Sequence, residues 1–167
     1  MYYARIREFD VANGPGVRTT LFVSGCTHGC PGCFNKEQQD FHYGKPWNKI
    51  TETTFVHYAK HSQVKGISIL GGEPLQQQFN DDALYSLLKR LRSEVKKPIW
   101  LWTGYTWEEI MKQTSMLKII TLVDVIVDGR FVEAERDLSL KYRGSRNQRV
   151  IDVYESLTRG CICEIEY

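Results

Sequence analysis

Four short β-prone runs in this chain each stop at glycine. They are Thr19–Ser24 before Gly25, Gly66–Leu70 before Gly71-Gly72, Ile99–Thr103 before Gly104, and Val123–Val127 before Asp128-Gly129. Helical patterns lie between them. One runs from Thr51 to about His61. A second, with Asn80 or Asp81 as its cap, runs to about Val95 and carries Leu84, Leu87, Leu88 and Leu91 at the i, i+3, i+4, i+7 spacing of a single apolar face. Thr106 and Glu109 have capping-box spacing for a third helix through about Gln113. Strands alternating with helices predict a parallel sheet with right-handed crossovers. A complete eight-unit barrel takes about 250 residues, and the chain has 167. The expected fold is therefore α/β, a small open sheet or an incomplete parallel β/α barrel. One domain is expected over 1–167, less regular from about 137, with residues 36–50 irregular and an edge strand at Gln148–Val153.

In parallel α/β folds, ligands bind at the carboxyl ends of the strands. Three chemically distinctive segments fall there: Cys26-Thr-His-Gly-Cys30-Pro-Gly-Cys33, Gly71-Gly72-Glu73-Pro74, and Thr103-Gly104-Tyr105. The first places three thiols in eight residues with C-x₃-C-x₂-C spacing. Structural metal sites normally have a closed ligand set, whereas a set left open leaves room for a small molecule. Thiolates are the usual ligands of iron–sulfur clusters, and a four-iron cluster held by three cysteines keeps one iron free. Gly25, Gly29 and Gly32 let the loop turn tightly. Gly71-Gly72 lets a ligand approach main chain, and Glu73 or a nearby carbonyl can accept from an ammonium group. Thr103 follows a buried-type strand at the same rim. A plain turn is the competing reading for both of these segments.

A zinc site completed by His28, His42 or a later cysteine is the competing reading of the triplet. Zinc ligands come more often as two separated pairs, and only one tight triplet is present. The N-terminus, MYYARIREFD, lacks the apolar stretch of a signal peptide, and no apolar run has the length of a membrane span. A cytoplasmic setting is expected, in which five cysteines are reduced and the clustered three are metal ligands. A net charge of +2 gives no electrostatic argument for nucleic acid or an anionic membrane. No G-x-G-x-x-G follows a strand, which disfavours a dinucleotide oxidoreductase.

The C-x₃-C-x₂-C spacing resembles the signature of the radical S-adenosylmethionine (SAM) superfamily. The ordered series Asn13-Gly-Pro-Gly-Val-Arg18, LFVSGCTHGCPGCFN, GGEPL, WLWTGY, VDVIVDGRF and RGSRNQR is similar, more narrowly, to the family that activates anaerobic ribonucleoside-triphosphate reductase. The resemblance implies a partial barrel of the radical SAM type and a [4Fe–4S] cluster on Cys26, Cys30 and Cys33. It implies SAM contacts from Gly32, Cys33, Phe34, Gly71, Gly72, Glu73 and Thr103. The implied activity is reductive cleavage of SAM to a 5′-deoxyadenosyl radical that takes hydrogen from a glycine of the reductase large subunit. The implied electron source is an external donor such as flavodoxin. Activation of another glycyl radical enzyme, such as pyruvate formate-lyase, is the nearest alternative, and a non-enzymatic zinc-binding adaptor is the alternative from another class.

The resemblance also suggests that Gly14, Pro15, Gly16 and Arg18 sit near the entrance for the protein substrate; a turn into the first strand explains them nearly as well. Trp100 and Trp102 read as core or partner-facing aromatics rather than cofactor contacts. Cys161 and Cys163 read as reduced thiols on a mobile end. Arg143, Gly144, Asn147 and Gln148 match a family motif without an assigned role.

Overall fold

The computed structural model describes residues 1–79 and 82–167. Its centre is one seven-stranded mixed sheet in the order β3-β1-β2-β4-β5-β6-β7. The strands are β1 (Tyr2–Asp10), β2 (Arg18–Ser24), β3 (Lys45–Pro46), β4 (Gly66–Gly71), β5 (Ile99–Trp102), β6 (Val125–Asp128) and β7 (Arg149–Asp152). β2, β4, β5 and β6 are mutually parallel. β1, β3 and β7 are antiparallel to their neighbours. The expectation of a parallel sheet is thus correct for its middle and wrong at both flanks. β1 was not foreseen. It carries charged and exposed residues at alternate positions, Arg5, Arg7 and Phe9, so only one face of it looks like core.

Helix α1 (Lys49–Ala59) lies between β3 and β4, α2 (Ala83–Glu94) between β4 and β5, α3 (Trp107–Ile110) and α4 (Thr114–Ile120) between β5 and β6, and α5 (Val153–Arg159) follows β7. Paired residues share a face of a parallel sheet, so the register builds a continuous row across the strands: Leu21, Ile69, Leu101, Ile126 and Ile151, each 0% exposed. That row meets Phe55, Val56 and Ala59 of α1, the four leucines of α2, Trp107 and Ile110 of α3, and Met116, Ile119 and Ile120 of α4. Each such buried Leu or Ile contributes about 1.5–3 kcal/mol. The other face of the sheet holds a smaller cluster of Trp100, Val125, Val127 and Val150, flanked by Trp102, Tyr142 and Ile165. The period of two along each strand divides the sheet between a helix-covered face and one that buries this smaller cluster.

Several boundaries moved. α2 begins at Ala83 with Asp82 at its N-cap position; the proposed caps Asn80 and Asp81 lie outside the described residues. The Thr106–Glu109 capping box forms, but its helix ends at Ile110 and a second short helix, α4, follows. The region after 137 is irregular only as far as 148. Beyond it come β7, which is the expected edge strand, and α5, capped by Asp152 and ended by Gly160 in the left-handed region. The segment bearing Cys161 and Cys163 is tied down, not loose. Cys163 O accepts from Asp152 N (2.9 Å), and Ile165 N donates to Val150 O (2.7 Å), so the segment covers part of the exposed β7 edge. All five cysteines are free thiols. No helix among the described residues is long and apolar enough to cross a membrane.

Candidate functional site

The carboxyl ends of β2, β4, β5 and β6 open onto a single cavity of about 200 Å³. Cys26, Cys30, Cys33, Phe34, Gly71, Gly72, Glu73 and Thr103 all line it. Gly32 does not; it turns outward against the Glu133 carboxylate. His42 is an exposed side chain stacked edge-on against Tyr2, and neither it nor Cys161 nor Cys163 reaches the cavity.

Main-chain bonds set the cysteine loop directly on the strand ends. Gly72 N donates to Val23 O and Glu73 N to Gly25 O, both at 2.8 Å, while Cys26 N donates to Gln39 O at 3.0 Å. Two glutamines that follow Gly-Gly-Glu-Pro reinforce this. Gln77, 1% exposed, donates to the carbonyls of Ser24, Gly25 and Glu73. Gln76 exchanges two bonds with Thr27, its Oε1 accepting from Thr27 N and its Nε2 donating to Thr27 Oγ1. Neither was singled out from sequence, where Gln-Gln-Gln reads as an ordinary polar stretch. Their burial beside main-chain groups that need partners is visible only in three dimensions.

Gly71 and Gly72 sit where only glycine fits. Gly71 has φ +114°, and a Cβ at Gly72 would lie 2.6 Å from Gly25 O. Because the obstacle at Gly72 is main chain, Gly72→Ala is expected to push the cysteine loop off the β4 end and to lower iron retention severalfold. Iron analysis after anaerobic reconstitution, beside a circular-dichroism melt, measures this.

Burial pushes the Cys26 thiol up to about 11, so in the metal-free chain it holds its proton at neutral pH. Ligation must release that proton. Among the described residues no three His, Cys, Asp or Glu side chains converge tightly enough to hold one metal ion. A cubane cluster does not ask for such convergence, since each cysteine takes its own iron. Three soft donors spread along one wall, a cavity beside them, and main chain laid bare by two glycines fit a four-iron cluster with a small molecule next to it.

Two parts of the wall came from motifs to which the sequence assigned no role. Gly129 and Phe131, after β6, and Gly144 and Gln148, before β7, line the cavity as well. Gln148 Oε1 accepts from Gly144 N and Ser145 N, and its Nε2 donates to Gly129 O. Asn147 donates to Arg130 O. Arg149 donates to the fully buried Asp128, which also accepts from Trp107 N (2.7 Å). The Arg-Gly-Ser-Arg-Asn-Gln-Arg stretch is thus a strap that rigidifies the loop after β6. Phe34 stands at the rim, 62% exposed, with Phe131 beside it and the Arg136 guanidinium 5.0 Å over its ring.

Trp102, expected in the core or at a partner surface, stands in the cavity wall and donates to Tyr142 O. Trp100 is buried beneath it. Arg18 departs from expectation more sharply. It is 1% exposed at the amino ends of the parallel strands, the end opposite the cavity, where it donates to Ser68 Oγ and Ile67 O (both 2.6 Å). The Gly14–Arg18 segment is a turn into β2 at the strand ends away from the cavity.

Residues 12–151 match the family model described as a 4Fe-4S single cluster domain. The anaerobic ribonucleoside-triphosphate reductase-activating protein of Escherichia coli strain K12 is 42% identical over 153 residues, which cover 90% of this chain and 97% of that one. The proteins of the same name from Vibrio cholerae and from Enterobacteria phage T4 are 39% and 40% identical, over 89% and 90% of this chain and 96% and 93% of their own lengths. A carboxyl-edge cavity walled by three thiols, together with these matches, places the chain in the family of anaerobic ribonucleoside-triphosphate reductase-activating proteins, with a 4Fe-4S domain.

Proposed function

We propose that this chain is a radical SAM enzyme that generates a glycyl radical on anaerobic ribonucleoside-triphosphate reductase. The observation that carries the reading is the convergence of Cys26, Cys30 and Cys33 with the Gly71-Gly72 turn and Thr103 on one cavity. Sequential parallel strands with helices packed on one face support a partial β/α barrel.

Cys26, Cys30 and Cys33 would hold the cluster, which when loaded and reduced supplies the electron that cleaves SAM to methionine and a 5′-deoxyadenosyl radical. The protein contributes position and exclusion of water. The bared main chain at Gly71-Gly72 admits the methionine moiety, and Thr103 and Phe34 border the rest of SAM. The strap through Gln148 keeps the loop after β6 fixed in the cavity wall. No residue is required to move a proton, since hydrogen is transferred as an atom. The exposed rim at Phe34 is where a loop of a protein substrate would approach. The electron comes from an external one-electron donor, for which a flavodoxin is the proposal.

Reduced, reconstituted protein incubated with SAM and the reductase large subunit should yield a glycyl doublet by electron paramagnetic resonance and one methionine per SAM cleaved. A doublet on pyruvate formate-lyase and none on the reductase would redirect the assignment. A colourless protein with stoichiometric zinc and no SAM cleavage would overturn it.

A further inference from the structure

His28 lies between the first two cysteines of the loop, and its side chain is only 6% exposed. Its Nε2 is 2.9 Å from Glu73 Oε2. Its Nδ1 is 3.2 Å from Arg130 Nε, a group that can only donate, so Nδ1 accepts and the ring proton sits on Nε2, directed at Glu73. Arg130 is itself held by Glu109 Oε1 at 3.3 Å. The ring rests edge-on against Tyr105, with centroids 4.6 Å apart, and covers Gly104 so closely that a Cβ there would lie 2.4 Å from His28 Cδ2.

Glu73 has a side chain 1% exposed, and a buried carboxylate must be matched by donors. Its Oε1 accepts from Leu75 N (2.9 Å) and Thr103 Oγ1 (2.8 Å). Its Oε2 accepts from Gly104 N (2.7 Å) and His28 Nε2. Each oxygen takes two donors, which fills its ordinary capacity. These donors come from the turn after β4, the end of β5 and, through His28 alone among the described residues, the cysteine loop.

We propose that His28 is a positioning residue: by donating to Glu73 it locks the stretch between the first two cluster cysteines to the ends of β4 and β5. It thereby sets where a ligand at the cluster's open position meets the Gly71-Gly72 turn. This rests on the cluster and SAM reading of the same cavity. Loss of a hydrogen bond to a charged group corresponds to roughly tenfold or more in an equilibrium, and groups acting through one network are not additive.

The test compares His28→Phe, His28→Gln, Glu73→Gln and the His28→Phe/Glu73→Gln double variant in the full chain. In the cluster-free protein, exchange of the Gly104 amide should speed up about tenfold in His28→Phe and in Glu73→Gln. In the reconstituted protein, SAM should bind about tenfold more weakly in both, with the double variant within about twofold of either. His28→Gln, whose amide nitrogen reaches the same point, should stay within about threefold of the parent in both measurements. If His28→Phe does not fold, His28→Asn, whose amide falls short of Glu73, takes its place. Unchanged Gly104 exchange and SAM affinity in the variant lacking the donor, or losses that multiply in the double variant, would overturn the proposal. If the parent loads about four irons yet binds no SAM, the functional reading fails, and the exchange measurements still decide the role of His28.

Discussion

A Cys30→Ser chain, reconstituted anaerobically, is expected to lose its cluster and with it SAM cleavage. Serine presents a hard oxygen that stays protonated at neutral pH, whereas iron–sulfur centres take thiolates. Cys30 is one of three thiols on the cavity wall, and neither His42 nor the later cysteines stand within reach as replacements. The loss should exceed the 10–100-fold that removal of a supporting partner costs at metal sites. Iron should fall from about four per chain to below one, and the brown absorbance should disappear. A Cys161→Ser/Cys163→Ser chain should keep its iron, because that segment is pinned along β7, away from the cavity. Iron and sulfide analysis of the two variants side by side checks both expectations.

Arg149→Ala should produce the larger loss of stability. Asp128 is 1% exposed, and its Oδ2 lies 2.5 Å from Arg149 Nη2; without the guanidinium a buried carboxylate keeps only the Trp107 amide. Breaking a buried pair from one side costs about 3–5 kcal/mol. Arg149 is itself a quarter exposed, so about 3 kcal/mol is expected from urea unfolding. Arg149 also donates to Glu108 and holds that carboxyl down to about 2, against an ordinary 4.5. The stability from that contact is complete above pH 4.5 and is lost as pH falls toward 2. Arg149→Ala should flatten this acid limb as well as lower the plateau. Cluster retention should fall too, because Arg149 anchors the strap that carries Gln148 to the cavity.

Local patterns were legible wherever one face of an element is uniformly apolar. The leucines of α2 and the four runs ending in glycine are of this kind. β1 escaped because an antiparallel flank buries one side only, and its other side carries Arg5, Arg7 and Phe9. α5 had a signal that went unread: Asp152 three residues before Glu155, and Gly160 to end the helix. For Arg18 the sequence offered two readings, an entrance implied by the resemblance and a turn into the first strand. The placement of Arg18 depends on carbonyls of Ile67 and Pro98, distant in sequence, that give a buried guanidinium its acceptors. Gln76, Gln77 and His28 were unreadable as supports for the same reason, since the bonds that tie the cysteine loop to the β4 end, Gln76 to Thr27, Gln77 to Ser24 and His28 to Glu73, span 45 or more residues.

By itself, the sequence determined which soft donors the chain carries and where along it they fall. Three thiols at C-x₃-C-x₂-C spacing, and glycines at strand ends, are local facts that need no neighbours to be read. The tertiary structure alone decided which groups face the cavity and which are consumed in holding it. Glu73 and Thr103 bond to one another inside the wall, His28 joins them, and Gly32 turns away. The physical reason is that a hydrogen-bond donor or acceptor is committed only when its partner arrives, and here the partners arrive from four separate strand ends.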